Sequence, residues 1–207
     1  MEINIKNKVA IVTGGTSGIG EVISLSLLAE GCKVSICCKS EKSFKYFNKK
    51  YKRFSKSFYI EFFDATNEKN ISNFVRNTLD KFKKIDILIN NIGGDETNEI
   101  KSIKPRIYET FINSYNINFG TSLNFIVYSL PHMKKNSWGR VINISSISSL
   151  NFNKRIWYSN AKMSSENLIK YLATLKEYTN KKITFNSISP GHLNTKKSYL
   201  HKLKNKN

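Results

Sequence analysis

The chain has 207 residues, 40% of them hydrophobic, with 34 Lys or Arg against 15 Asp or Glu and a net charge of +19. That length suffices for one domain with a buried core, and that composition excludes a disordered chain. No apolar run approaches the roughly 18 residues of a membrane span, and the first residues lack the regions of a signal peptide, so a cytoplasmic protein is expected.

Residues 9–12 predict a buried strand. Ile19, Val22, Ile23 and Leu27 follow at helical spacing, and Gly31 can end that helix. Residues 34–38 and 58–63 predict the second and third strands. Ile71, Phe74, Val75, Leu79 and Phe82 form an i, i+3, i+4 stripe, which predicts an amphipathic helix. Strands at 85–89, 141–144 and 183–188 alternate with helical patterns at 105–133 and 158–178. Strands without strict apolar–polar alternation are buried on both faces, the mark of a parallel sheet covered by helices. The expected architecture is therefore a doubly wound α/β fold of Rossmann type, one domain over 1–195 followed by a basic tail at 196–207.

The lysines are spread over most surface segments and are densest at 49–56 and 196–206. Neither cluster adjoins a zinc-finger or helix-turn-helix pattern, so the charge reads as a bias of composition rather than a nucleic-acid footprint. Cys32, Cys37 and Cys38 are odd in number and two are adjacent, which fits neither a disulfide framework nor a metal site. Free thiols suit a reducing cytosol.

The segment Thr13-Gly-Gly-Thr-Ser-Gly-Ile-Gly20 lies between the first strand and the first helix. Glycines there allow a tight turn, close approach of a pyrophosphate and close helix–strand packing, while the helix N-terminus offers N–H groups to phosphate. The spacing TGxxxGxG resembles the short-chain dehydrogenase/reductase family, and more of that family's motifs follow in order. Asp64-Ala65 comes after the third strand. Asn90-Asn91-Ile92-Gly93 ends the fourth and resembles NNAG, with Ile92 in place of the usual Ala. Asn118 sits in the next helix, Asn143-Ile-Ser-Ser146 ends the fifth strand, Tyr158-Ser-Asn-Ala-Lys162 forms YxxxK, and Pro190-Gly191 with Thr195 follows the sixth strand. The resemblance covers about residues 5 to 195 and includes the 3-oxoacyl-[acyl-carrier-protein] reductase-like members.

That resemblance implies an NAD(P)(H)-dependent oxidoreductase acting on a carbonyl or alcohol, with Asn118, Ser146, Tyr158 and Lys162 as catalytic residues and no metal. Tyr158 and Lys162 are four apart on a predicted helix and share a face. A free phenol has a pKa of about 10, and bringing it near neutrality takes about 4 kcal/mol of preference for the phenolate, which a nearby ammonium and an oxidised nicotinamide favour. Tyr158 could then exchange a proton with the substrate oxygen. Lys162 is implied to hold the nicotinamide ribose as well, and Asn118 to bend its helix and hold a water that links Lys162 to solvent. Ser146 takes the family's serine position. The loop from there to Tyr158 is a little shorter than in the family, which keeps Ser145 in play.

Cofactor contacts are implied at Gly14, Thr16, Ser17, Gly18, Ile19, Gly20, Lys39, Asp64, Ala65, Asn91, Gly93, Tyr158, Lys162, Pro190, Gly191, Leu193 and Thr195. At the end of the second strand Cys38 stands where an acidic residue would bind the 2′-hydroxyl of NAD, and Lys39 follows. NADP(H) is therefore expected over NAD(H), which remains open. Members of the family run on past the Pro-Gly motif, with a further strand, helices over the substrate pocket and a tetramer contact. The chain is thus expected to lack these, and a weak or inactive dinucleotide-binding homologue is the alternative reading. The family's principal dimer contact corresponds to residues 107–135 and 157–179, so a homodimer is expected, with outward residues such as Ile112, Phe119, Leu168 and Leu172 shared between sheet and partner.

Overall fold

The first strand, β1 (Val9–Thr13), is buried along its whole length, as a run of Val, Ala and Ile without polar alternation requires. In the computed structural model, which describes residues 4–94, 105, 107–150, 155–191 and 193, five more strands join it. They are β2 (Lys33–Cys38), β3 (Phe58–Phe62), β4 (Ile87–Asn90), β5 (Gly139–Ile144) and β6 (Ile183–Ile188). All pair in parallel, in the order β3-β2-β1-β4-β5-β6. The order reverses between β1 and β4. At such a switch point the two connections leave in opposite directions and open a crevice beyond the carboxyl ends of the strands.

Helices cover both faces. On one, α1 (Gly18–Ala29) and α2 (Glu41–Lys50) contribute Leu28 and Phe47 to a core with Ala10, Val12, Val34 and Ile36. On the other, α3 (Glu68–Phe82), α5 (Thr121–Asn136) and α6 (Ile156–Thr174) pack Phe74, Phe125, Met133 and Ile169 against Ile11, Leu88 and Val141. This is the expected Rossmann-type fold.

Three local features differ from expectation. The lysine-rich α2 has no predicted counterpart. It forms because Ser40 accepts a hydrogen bond from the Ser43 N–H at its N-cap and because Phe47 is wholly buried, 5.5 Å from the Phe58 ring and 4.7 Å from that of Tyr51. The helical stretch predicted at 105–133 is α4 (Ile107–Tyr115), one wide π turn (Asn116–Gly120), then α5. The helix predicted at 158–178 stops at Thr174, since Leu175 is extended, and α7 (Lys176–Thr179) follows. Of the apolar residues expected to be shared with a partner, Leu172 is buried in the core and Leu168 packs against it. These two face the sheet, and the exposed large apolar residues among those described on α5 and α6 are Val127, Ile156, Met163 and Tyr171.

Candidate active site

The glycine-rich turn leaves β1 with Gly14 at φ +63° and Gly18 at φ +57°, a region that glycine enters freely. Gly20 is needed for a different reason, because a Cβ there would lie 2.3 Å from the Gly14 carbonyl oxygen. Ser17 caps α1 in an extended conformation without a side-chain hydrogen bond, and nothing lies within 4 Å of a Cβ built on Gly18. The helix N-terminus therefore faces open space, the cradle that a pyrophosphate needs.

Thr13 and Asn91 lock this turn to the exit of β4. Thr13 Oγ1 accepts from the Asn91 and Ile92 N–H groups at 2.8 and 2.9 Å, and Asn91 Nδ2 donates to the Thr13 carbonyl at 2.9 Å. A groove of about 660 Å³ runs from here along the carboxyl ends of the strands, within the range of ligand sites. Its walls include Gly14, Thr16, Ser17, Gly18, Ile19, Lys39, Asp64, Ala65, Asn91, Gly93, Tyr158, Lys162, Gly191 and Leu193. Gly20 and Asn118 stand behind these walls, fully or nearly fully buried. The Pro190 carbonyl accepts from the Ile147 N–H at 3.2 Å. Thr195 lies outside the described residues.

Sequence reasoning missed Ser43, Phe63 and Thr66, which also line the groove. Ser43 could be found only by predicting α2. Thr66 follows from Asp64, whose Oδ1 accepts from its N–H and Oγ1 at 2.9 and 2.8 Å in a local turn. Those bonds, aided by the charge of Lys39, hold the Asp64 carboxyl below its usual range. The thiols beside it are quiet: burial pushes Cys37 up to about 12 and raises Cys38 as well.

At the other end of the groove Tyr158 and Lys162 stand one turn apart on α6. Lys162 is only 3% exposed, its Nζ donates to the Ile144 carbonyl at 3.0 Å and lies 5.9 Å from the centre of the Tyr158 ring. Burial lowers its pKa from 10.5 to about 8, with the charge of Glu166 acting in the opposite direction. A Cβ on Gly93 would lie 2.7 Å from Lys162 Nζ and 2.8 Å from Asn118 Oδ1, so a larger residue there would displace both side chains. Asn118 occupies the π turn, donating from Nδ2 to the Ser114 and Gly94 carbonyls and accepting at Oδ1 from the Gly94 N–H. Ser145 is on the groove wall, but its buried Oγ sits near the Glu166 carboxylate and meets no partner within hydrogen-bond geometry among the described residues. Ser146 Oγ accepts from the Ser148 N–H at 3.1 Å, which leaves its own proton to donate. Among the described residues no three His, Cys, Asp or Glu side chains gather as a metal site.

Residues 8–203 match the short chain dehydrogenase family. The chain belongs to that family. It is accordingly an NAD(P)-dependent oxidoreductase of the CH–OH/C=O pair. The 7alpha-hydroxysteroid dehydrogenase of Bacteroides fragilis is 27% identical over 187 residues, which cover 90% of this chain and 71% of that protein. The acetoacetyl-CoA reductase of Allochromatium vinosum is 30% identical over 191 residues, covering 91% of this chain and 76% of that protein. The solved structure of ElxO with NADP bound superposes with a TM-score of 0.86 at 26% identity, over 97% of this chain and 80% of that one. No observation favours the alternative of an inactive homologue.

Proposed function

We propose that this dehydrogenase is an NADPH-dependent reductase of 3-oxoacyl thioesters in which Tyr158 transfers the proton. The observation that carries this reading is Tyr158 on the groove wall beside the ammonium of Lys162, whose pKa burial lowers to about 8. The thioester is suggested by the acetoacetyl-CoA reductase among the relatives. The preference for NADPH is supported by Lys39 on the wall, by Cys38 in the place of a carboxylate, and by the NADP held in the ElxO structure.

When bound, the nicotinamide supplies hydride to the substrate carbon or receives it. Tyr158 gives its phenolic proton to the oxygen as charge develops there, and takes one back in the reverse direction. Lys162, still protonated at neutral pH, favours the phenolate that remains and has protons to offer the ribose hydroxyls. Ser146, whose oxygen accepts from the Ser148 N–H, would donate its proton to the substrate oxygen. Asn118 holds the wide turn open beneath Gly93 and Gly94, where a water would pass protons to Lys162. Gly14, Thr16, Ser17, Gly18, Ile19 and Gly20 would hold the pyrophosphate, Asp64 and Ala65 the adenine, Asn91 and Gly93 the adjoining ribose. Pro190, Gly191 and Leu193 would flank the nicotinamide.

The active species is a cytosolic homodimer joined through α5 and α6, with residues 1–195 as the folded domain and 196–207 as a basic tail. No helix among the described residues is long and apolar enough to cross a membrane.

Tyr158→Phe tests the chemistry with acetoacetyl-CoA and NADPH. Turnover should fall by about 100-fold or more, the scale of acid–base catalysis, while NADPH affinity measured by fluorescence stays within about twofold, because only the transferable proton is lost. Retention of most of the turnover would overturn the role of Tyr158.

A further inference from the structure

Helix α6 carries a buried ionisable side chain that the chemistry above leaves unused. Glu166 lies one turn beyond Lys162 and is 7% exposed. Its Oε1 accepts from Ser149 Oγ and from Ser189 Oγ, each at 2.7 Å. Ser149 closes the turn after β5 that carries Ser146, and its Oγ also lies 2.7 Å from the Ser146 carbonyl oxygen, so one proton serves two acceptors. Ser189 immediately precedes Pro190-Gly191 at the exit of β6. One carboxylate oxygen thus touches the two turns that border the reacting end of the groove. The same turns are joined to each other by Ser145 N–H to the Ile188 carbonyl at 2.8 Å and Ile147 N–H to the Pro190 carbonyl.

A carboxylate suits this place because it only accepts hydrogen bonds, and the groups that donate to its Oε1 are the hydroxyls of Ser149 and Ser189. Burial alone would raise the Glu166 pKa. The hydroxyls of Ser145, Ser149 and Ser189, with the charge of Lys170, outweigh it and hold the carboxyl below its usual range. The residue is therefore ionised at neutral pH. The groups that surround Lys162 are Tyr158 and Glu166 from its own helix, the Ile144 carbonyl from β5, and Gly93 and Asn118 from the β4 exit and the π turn. Of these, Glu166 supplies the negative charge.

We propose that Glu166 is a positioning residue of the active site: its carboxylate pins the turns at 145–149 and 189–191 onto α6, and its charge balances the Lys162 ammonium in the same dry interior. This rests on the reading of Tyr158 and Lys162 given above. The pin sets where Ser146 and the Pro190-Gly191 segment stand relative to Tyr158. The charge keeps Lys162 protonated at neutral pH against burial.

The two functions separate by substitution. Glu166→Gln keeps an acceptor oxygen and removes the charge. Glu166→Leu removes both, and Ser149→Ala with Ser189→Ala removes the pinned partners while leaving the charge. Lys162 is titrated directly by NMR of protein labelled with carbon-13 at the lysine ε position, with Lys162→Met assigning the resonance. NADPH affinity and acetoacetyl-CoA turnover are measured alongside. Glu166→Gln should lower the Lys162 midpoint by about one pH unit and move the alkaline limb of the pH–rate profile with it, leaving NADPH affinity within about twofold. The Ser149/Ser189 double variant and Glu166→Leu should each lower kcat by about tenfold, and the combined triple variant should lose no more than either, as members of one network do. An unmoved Lys162 midpoint in Glu166→Gln would overturn the charge balance, and fully additive losses in the triple variant would overturn the pin. Turnover surviving Tyr158→Phe would instead fault the underlying reading, while the NMR midpoint would still judge Glu166 by itself.

Discussion

Lys162 sets the desolvation of an ammonium against the needs of proton transfer, and that conflict has a pH signature. Its pKa falls from 10.5 to about 8 on burial. Between those values the unfolded chain binds more protons at this site than the folded one, so stability rises with pH across that window, and below about 8 the whole cost of burial is present. Lys162→Met, of similar length and uncharged, should therefore be more stable than the wild type at pH 7, by up to about 3 kcal/mol less the loss of the bond to Ile144. Urea denaturation at pH 7 and again above pH 10 should show the difference closing, while turnover is lost at both. A variant no more stable at pH 7 would mean that Glu166 and the Ile144 carbonyl already offset the burial. Lys39 gives a second test. Lys39→Asp should turn cofactor preference from NADPH towards NADH in a fluorescence titration, and equal affinities in the wild type would defeat the assignment. That Tyr158, Lys162 and the glycine turn share one groove was legible in the sequence through the order of the motifs that resemble the family. Glu166 was not, because its partners Ser149 and Ser189 lie 17 and 23 positions away and meet it only in three dimensions.

The order of strands and helices followed from periodicity, and α2, which it missed, shows where periodicity stops. Helix α2 buries Phe47 fully and Phe44 partly, with lysines and other polar residues over most of the rest. Two apolar side chains three apart make too short a stripe to stand out, yet Phe47 fills the space beside the Phe58 and Tyr51 rings. Phe47→Ala should cost about 3 kcal/mol or more by emptying that space, read as a lower midpoint in urea. Periodicity alone did not show the break in the helix predicted over 105–133, which only the family resemblance implied, at Asn118; the π turn there is held by Asn118 reaching Gly94, a contact across sequence. At the glycine turn the prediction is steric. Gly20→Ala would drive a methyl into the Gly14 carbonyl, an atom of the backbone that cannot rotate aside. It should destabilise the fold by about 1–3 kcal/mol and weaken NADPH binding with it. An unchanged melting curve would show that the turn relaxes freely.

Over the whole molecule, α5 and α6 leave Val127 at 53%, Met163 at 39% and Tyr171 at 61% exposure. These apolar residues suit the proposed contact with a second copy. Light scattering should give twice the chain mass of 23.8 kDa, and Val127→Lys with Tyr171→Lys should return it to one. A monomeric wild type would remove the dimer from the proposal. The tie between Thr13 and Asn91 has a consequence on the same scale. It joins the strands of β1, β2 and β3 to those of β4, β5 and β6 at the one place where their connections part. A dinucleotide lying in that crevice would grip both halves at once, so its binding energy would appear as resistance of the entire domain to unfolding. At 100 times the dissociation constant this amounts to about 2.7 kcal/mol. Heat alone, with no substrate added, would then rank one nicotinamide cofactor against the other.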